Sequence, residues 1–182
     1  CGVVLGVHLG RRSRMESAGF MHGADGAAAR PESTVLVVDD DEHVRRALRR
    51  VLRRAKCRIV DAADAQAAMA ILTAEPIQVV VSDYRMPGMS GVEFLRAVKD
   101  RWPRIQRVLL TGQADSTAIE EAVNQSEIFR FIWKPWDDGH LLITIQSASD
   151  QFWTIEENAR LHSLIEERND ELRQEIEERR KH

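Results

Sequence analysis

Cysteine is nearly absent. Cys1 and Cys57 are the only two in 182 residues, which excludes a disulfide framework and a cysteine-based metal cluster and suits a reducing, cytoplasmic setting. An excess of charge of one sign is also missing. The 26 Lys and Arg face 29 Asp and Glu, for a formal net charge of −3, so a strongly basic nucleic-acid binder is excluded as a description of the whole chain. No apolar run approaches the ~18 residues of a membrane span, and no membrane partner is expected. Gly and Pro both cease after Gly139. What remains is 43% hydrophobic and 30% charged, a soluble mixture with more charge than a compact domain needs. The length suits one ordinary domain plus an appendage, not two full domains.

The two ends differ from the middle. Residues 1–32 are rich in Gly, Ala and Arg without a sustained period. Their apolar patch, Val3, Val4, Leu5, Val7 and Leu9, precedes Arg11, Arg12 and Arg14, the reverse of the order in a signal peptide. A disordered leader or a fragment edge is expected there, with Met15 and Met21 each a candidate start. Residues 33–137 read as the core of a domain, in which short apolar runs alternate with stretches of helical spacing. The runs are Val35–Val38, Cys57–Val60, Val79–Val81, Val108–Leu110 and Phe129–Ile132. Between them lie Val44/Leu48/Val51/Leu52, Ala67/Ala68/Ile71/Leu72, Val92/Leu95/Val98 and Ile119/Val123. Strands alternating with helices predict an α/β fold, a doubly wound five-stranded parallel sheet with helices on both faces.

Residues 138–182 read as the last helix of that domain continuing into a linker. Leu141, Leu142, Ile145, Ala148, Phe152, Ile155 and Ala159 keep three- and four-residue steps, and a second stripe follows at Leu161, Ile165, Leu172 and Ile176. The stripes change phase near 159–162, which predicts a stutter. Such a helix is about 60 Å long. From Glu156 onward most residues are charged, so the second stripe has little to pack on within its own domain. A homodimeric coiled coil through this helix is expected, against the plainer reading of a solvated, partly frayed tail. The tail's acids outnumber its bases, which argues against direct nucleic-acid binding.

Chemistry-bearing residues gather at the ends of the predicted strands. Strand one ends in Asp39-Asp40-Asp41 and strand three in Ser82-Asp83. In a doubly wound sheet these carboxyl ends converge on one crevice at the topological switch point. Clustered carboxylates repel one another unless a cation sits among them, and oxygen donors alone suit Mg²⁺. The plainer role for an Asp in this turn is a helix N-cap, and Asp41 is the candidate for it. Strand four ends in Leu110-Thr111-Gly112, and strand five is followed by Lys134-Pro135. A hydroxyl and an ammonium at neighbouring strand tips supply donors for phosphoryl oxygens.

Four segments together, Val35–Glu42, Val81–Gly91, Leu109–Gly112 and Phe131–Trp136, resemble the receiver domain of bacterial two-component response regulators, over residues 33–150. The resemblance implies a flavodoxin-like sheet of order 2-1-3-4-5. It implies Asp83 as phosphoacceptor, with Mg²⁺ (Mn²⁺ substituting) held by Asp39, Asp40, Asp83 and the Arg85 backbone carbonyl. Thr111 and Lys134 would contact the phosphoryl group, and Phe131 would be the aromatic that turns inward when Thr111 moves. The Lys134–Pro135 peptide would be cis. Arg85 and Gln113 would flank the path of attacking water and tune the lifetime of the phosphoform, with a long Arg predicting a long-lived one.

The implied function is phosphoryl acceptance from a sensor histidine kinase. It switches the surface made by the fourth helix, the fifth strand and the start of the fifth helix. No enzyme activity is expected beyond self-phosphorylation and slow autodephosphorylation. The segment Leu164–Arg179 is similar to signalling helices that lead to an output domain, here absent from the chain. A hydrolase using an aspartyl phosphate fits less well, because its nucleophile usually follows the first strand beneath a cap. A dimerisation scaffold indifferent to phosphorylation is the alternative. Trp133 and Trp136, bracketing Lys134-Pro135, read as packing residues or as part of an interface.

Overall fold

A computed structural model of the chain describes residues 30–112 and 128–181. The leader, apart from its last residues, lies outside this range, as do the helix expected from Ile119 and Val123 and the candidate Gln113. The elements follow in the order β1 (Thr34–Val38), α1 (Glu42–Leu52), a 3₁₀ turn (Arg53–Ala55), β2 (Arg58–Ala62), α2 (Ala65–Ala74), β3 (Val79–Asp83), α3 (Gly91–Arg101), β4 (Gln106–Thr111), β5 (Arg130–Trp133) and a long C-terminal helix (Asp138–Arg180). All strand pairings are parallel, and the order across the sheet is β2-β1-β3-β4-β5.

Alternation along the strands sends successive side chains to opposite faces. Leu36, Val38, Val80 and Leu109 pack on one face with Ala68 and Leu72 of α2 and Phe94, Leu95 and Val98 of α3. Val35, Val37, Val79, Val81, Val108 and Leu110 pack on the other with Leu48, Val51 and Leu52 of α1 and Leu141, Ile145 and Ala148 of the long helix. Covered on both faces, β1, β3 and β4 are buried at every residue. The outer strands begin and end later than the apolar runs suggest. β2 spans Arg58–Ala62 instead of starting at Cys57, and β5 includes Trp133 and leaves out Phe129. An edge strand has one neighbour and one half-open flank, so its pairing, not its apolar run, sets its limits.

Each of the four described α-helices starts on an oxygen side chain that accepts a free first-turn N–H. Asp41 accepts from His43, Asp64 from Ala67, and Asp137 from His140. Ser90 and Glu93 form a reciprocal capping box on α3. Asp41 therefore takes the structural role, leaving Asp39 and Asp40 for other work.

The long helix runs through the predicted stutter without interruption. Its change of phase is a change of face. Laid out at ~100° per residue, the buried stripe (Leu141, Thr144, Ile145, Ala148, Phe152) and the exposed stripe (Leu161, Leu164, Ile165, Leu172, Ile176) lie roughly 140° apart. The first seats on the sheet. The helix is fixed at its exit from the domain by Trp153 Nε1 donating to Ser33 Oγ at 2.9 Å and by Glu156 pairing with Arg104 at 2.9 Å.

Candidate functional site

The carboxyl ends of β1, β3, β4 and β5 meet at one rim. Asp39 follows β1 and is 1% exposed, and Asp83 is the last residue of β3 and 8% exposed. Asp40 lies beside them and is exposed. One carboxylate oxygen from each of the three can be chosen so that all lie within 4.8 Å of one another. The register that delivers this is parallel, with Val38 opposite Ser82 and Asp83 opposite Leu110.

Lys134 joins the strands from the far side. Its Nζ lies 2.9 Å from Asp39 Oδ2 and 2.7 Å from Asp83 Oδ1. The main chain brings it there: the N–H of Lys134 donates to the Thr111 carbonyl at 2.7 Å, and the Lys134–Pro135 peptide is cis. The other oxygens are also engaged. Asp39 Oδ1 accepts the Asp41 N–H at 2.8 Å, and Asp83 Oδ2 accepts the Arg85 N–H at 3.2 Å.

Burial pushes the Asp83 carboxyl above its ordinary range, and the nearby Asp39 adds to the rise. The hydrogen bond and charge of Lys134 and the Arg85 N–H pull against it without cancelling it. For Lys134, burial alone favours the neutral amine. Hydrogen bonds and charges from Asp83 and Asp39 outweigh it, so the ammonium is held above its ordinary range. The two shifts are not mirror images because Lys134 has two carboxylates, whereas Asp83 shares one lysine with Asp39.

Thr111 is fully buried at the end of β4, and its hydroxyl donates to the Gly112 carbonyl at 3.3 Å. Phe131 on β5 is half-buried against the α2–α3 face of the core and meets Trp133 edge-on, with ring centroids 5.4 Å apart. Trp133 is 39% exposed, and Trp136 packs partly against the opposite core layer. Of the two tryptophans around Lys134-Pro135, one is core packing and the other lies open beside the site. Arg85 is exposed on the loop after β3. Two residues that sequence reasoning passed over also belong to this rim. Arg45 and Asp61 brace the acidic turn from behind, and the spacing of Arg45 one helical turn into α1 was the available signal.

The family model described as the response regulator receiver domain matches residues 35–146. The chain belongs to this family. The receiver is 43% identical over 117 residues to the hydrogenase transcriptional regulatory protein HoxA of Cupriavidus necator, covering 64% of this chain and 24% of that protein. It is 33% identical to the transcriptional regulatory protein FixJ of Rhizobium meliloti, covering 73% of this chain and 69% of FixJ. The chain thus spans about a quarter of the length of HoxA. Among solved structures, the signal receiver domain of an HD domain-containing protein from Pseudomonas fluorescens Pf-5 superposes with a TM-score of 0.69 at 30% identity, covering 73% of this chain and 98% of that one. Among the described residues of the receiver, no helix is long and apolar enough to cross a membrane.

Proposed function

We propose that Asp83 accepts a phosphoryl group from a phosphohistidine on a sensor kinase and that the receiver is thereby switched. The observation that carries the reading is the Lys134 ammonium bridging Asp39 and Asp83, the three residues being brought together from the ends of three strands. An Asp83 carboxylate oxygen attacks phosphorus in line with the phosphorus–nitrogen bond. That bond breaks, imidazole leaves, and an aspartyl phosphate remains. Positioning and charge neutralisation do most of the work in such a transfer. Lys134 is already at hydrogen-bond distance of the nucleophile and is placed to follow the negative charge onto the phosphoryl oxygens. Thr111, at the adjacent strand tip, donates its hydroxyl to the same group, and Phe131 moves into the space that Thr111 leaves.

The side chains fit a divalent cation. The donors are all oxygens, and three carboxylates face one ammonium, so the cluster carries unbalanced negative charge. Asp39, Asp40, Asp83 and the Arg85 carbonyl would hold Mg²⁺, or Mn²⁺ in its place. When bound, the ion supplies positive charge to the carboxylates and phosphoryl oxygens. Arg85, with Gln113, then sets how readily water reaches the acyl phosphate.

Incubation with radiolabelled acetyl phosphate tests this directly. One phosphoryl group per chain is expected with Mg²⁺, an acid-stable and hydroxylamine-labile label as an acyl phosphate requires, and almost none with EDTA. The same Mg²⁺ should raise the melting temperature, because a ligand of the folded state stabilises it by mass action. Equal labelling in EDTA would sink the metal-dependent mechanism.

The output end of the reading rests on the long helix. Leu161, Leu164, Ile165, Leu172 and Ile176 are 43–57% exposed. The ion pairs around them, such as Arg168–Glu171 and Arg179–Glu175, are themselves open to solvent and add only about 0.2–0.5 kcal/mol each. Pairing with a second copy covers the stripe, and because this stripe faces away from the one seated on the sheet, the two receivers ride outside the coil. On this reading the receiver core spans 33–137, and 138–182 is the last receiver helix continuing into a coiled-coil linker toward an output module. Light scattering should report a dimer for the full chain and a monomer for the Ile165→Glu/Leu172→Glu double variant. A change of mass or shape with beryllofluoride, lost in Asp83→Ala, would couple the tail to the switch. A wild-type monomer would refute the coil.

A further inference from the structure

Arg45 grips the acidic turn from behind, and the phosphoryl chemistry does not use it. One turn into α1, it donates from Nη1 to the main-chain carbonyls of Asp39 at 2.7 Å and Asp40 at 3.2 Å. Its Nε donates to Asp61 Oδ2 at 3.2 Å. Its side chain is 14% exposed, far less than the 69% of its neighbour Arg46. Asp61 stands on β2 opposite Val37, and its other oxygen accepts from Arg49 Nη1 at 2.8 Å.

We propose that Arg45 is a positioning residue for the divalent-cation site, fixing the peptide planes of Asp39 and Asp40 and so the spacing of their carboxylates, with Asp61 and Arg49 holding it in place. The inference rests on the reading of the acidic turn as a metal site. β1 ends at Val38 and the N-cap is Asp41, so Asp39 and Asp40 belong to no regular element. The Asp39 N–H still reaches the Ala62 carbonyl at the end of β2 at 3.3 Å, but the Asp39 and Asp40 carbonyls take their partner from outside the ladder. A guanidinium meets that need with a fork. Its charge-assisted bonds are about twice as strong as neutral ones, and its planar donors reach two carbonyls and a carboxylate together. A lysine ammonium keeps the charge without that fixed geometry.

The electrostatics point the same way. Asp39, Asp40 and Asp83 repel one another, and a cation directly on their carboxylates would compete with a metal ion. Arg45 binds carbonyl oxygens instead. It places positive charge behind the turn and leaves the side-chain oxygens of Asp39 and Asp40 to Lys134, the Asp41 N–H and an incoming ion. The Asp61–Arg49 pair completes the brace, linking the metal rim to the outer face of α1.

Titration calorimetry of the full chain with Mg²⁺ alone tests this, with Asp40→Asn and Arg46→Ala as references. Arg45→Lys and Arg45→Ala should each weaken Mg²⁺ binding by about tenfold or more, the range expected when a residue that orients metal ligands is lost. Asp61→Asn should weaken it about threefold, and Arg46→Ala should stay within about twofold of wild type. Arg45→Lys decides between charge and geometry, since it retains the charge. If Arg45→Ala does not fold, the Arg45→Lys and Asp61→Asn proteins serve in its place. Folded Arg45→Lys protein that binds Mg²⁺ like wild type overturns the proposal while leaving the metal site intact. Wild-type protein that binds no Mg²⁺, or binds it as tightly after Asp40→Asn, overturns the metal site and this inference with it.

Discussion

Asp83→Asn should abolish phosphorylation and, without metal, raise the melting temperature. The first effect follows from chemistry. An amide oxygen is a poor nucleophile toward phosphorus, and loss of the attacking group in a concerted site costs at least about 10³-fold. The second follows from charge. Three carboxylates and one ammonium leave the rim with unbalanced negative charge, and a neutral amide at position 83 removes part of it. Lys134 then keeps Asp39 as its partner at 2.9 Å.

The pH dependence gives this prediction its sign. The folded-state pKa of the Asp83 carboxyl is raised, chiefly by burial. The neutral carboxyl is therefore the form that folding favours. Its stabilising contribution is complete below the ordinary value of 3.8 and is lost as pH rises through the raised value. The gap in melting temperature between wild type and Asp83→Asn should be small in acid, open between the two values and stay open at neutral pH. Each kcal/mol is worth about 2–4 °C in a chain of this size. Phosphorylation of wild type should run the other way, declining as acid protonates the nucleophile. Melting curves from pH 3 to 8, set beside labelling rates, test both. A variant no more stable than wild type at neutral pH would show that the Lys134–Asp83 pair outweighs burial and repulsion.

Gly91→Ala should be among the most damaging small substitutions. Gly91 opens α3, and its N–H donates to the Tyr84 carbonyl at 2.8 Å. A Cβ there would lie 1.9 Å from the Asp83 carbonyl oxygen, 2.8 Å from the Asp83 carbonyl carbon and 3.0 Å from Tyr84 Cα. All three are backbone atoms, so no rotamer change relieves the clash. Either α3 lifts off or the Asp83 peptide shifts. Overpacking of this kind costs about 1–3 kcal/mol and sometimes more.

A shift of the nucleophile by a fraction of an ångström adds a kinetic penalty, since ~1 Å of misplacement costs on the order of 10²-fold. Gly112→Ala is the control. Its Cβ would meet nothing within 4 Å, and its backbone does not have the positive φ seen at Gly88 (+85°). Thermal melting and beryllofluoride affinity should both suffer in Gly91→Ala and change little in Gly112→Ala. Equal behaviour of the two variants would refute the close-approach argument.

Much of the site was legible in the residues because each position is a strand tip. Apolar runs buried on both sides stop where Asp39, Asp83 and Thr111 begin, and a parallel sheet must bring such tips to one rim. Asp41 as a cap was legible for a local reason, since an Asx side chain bonds N–H groups two or three residues away. Other features depend on groups far apart in the chain. Arg45 meets Asp61 because α1 packs beside the edge strand, and Gly91 touches the Asp83 carbonyl because α3 turns back over β3. Neither contact leaves a periodic trace.

The sequence by itself determined the strand–helix alternation, the acidic, hydroxyl and lysine set at the strand ends, and a helix unbroken by Gly or Pro after Gly139. These are local preferences and hydrophobic periods, which neighbouring residues are enough to set. Only the tertiary structure decided that Lys134 spans Asp39 and Asp83 together, that burial raises the Asp83 carboxyl above its ordinary range, and that the tail's apolar stripe faces away from the sheet. Those properties depend on distance, burial and relative orientation, which exist only once segments remote in the chain pack against one another.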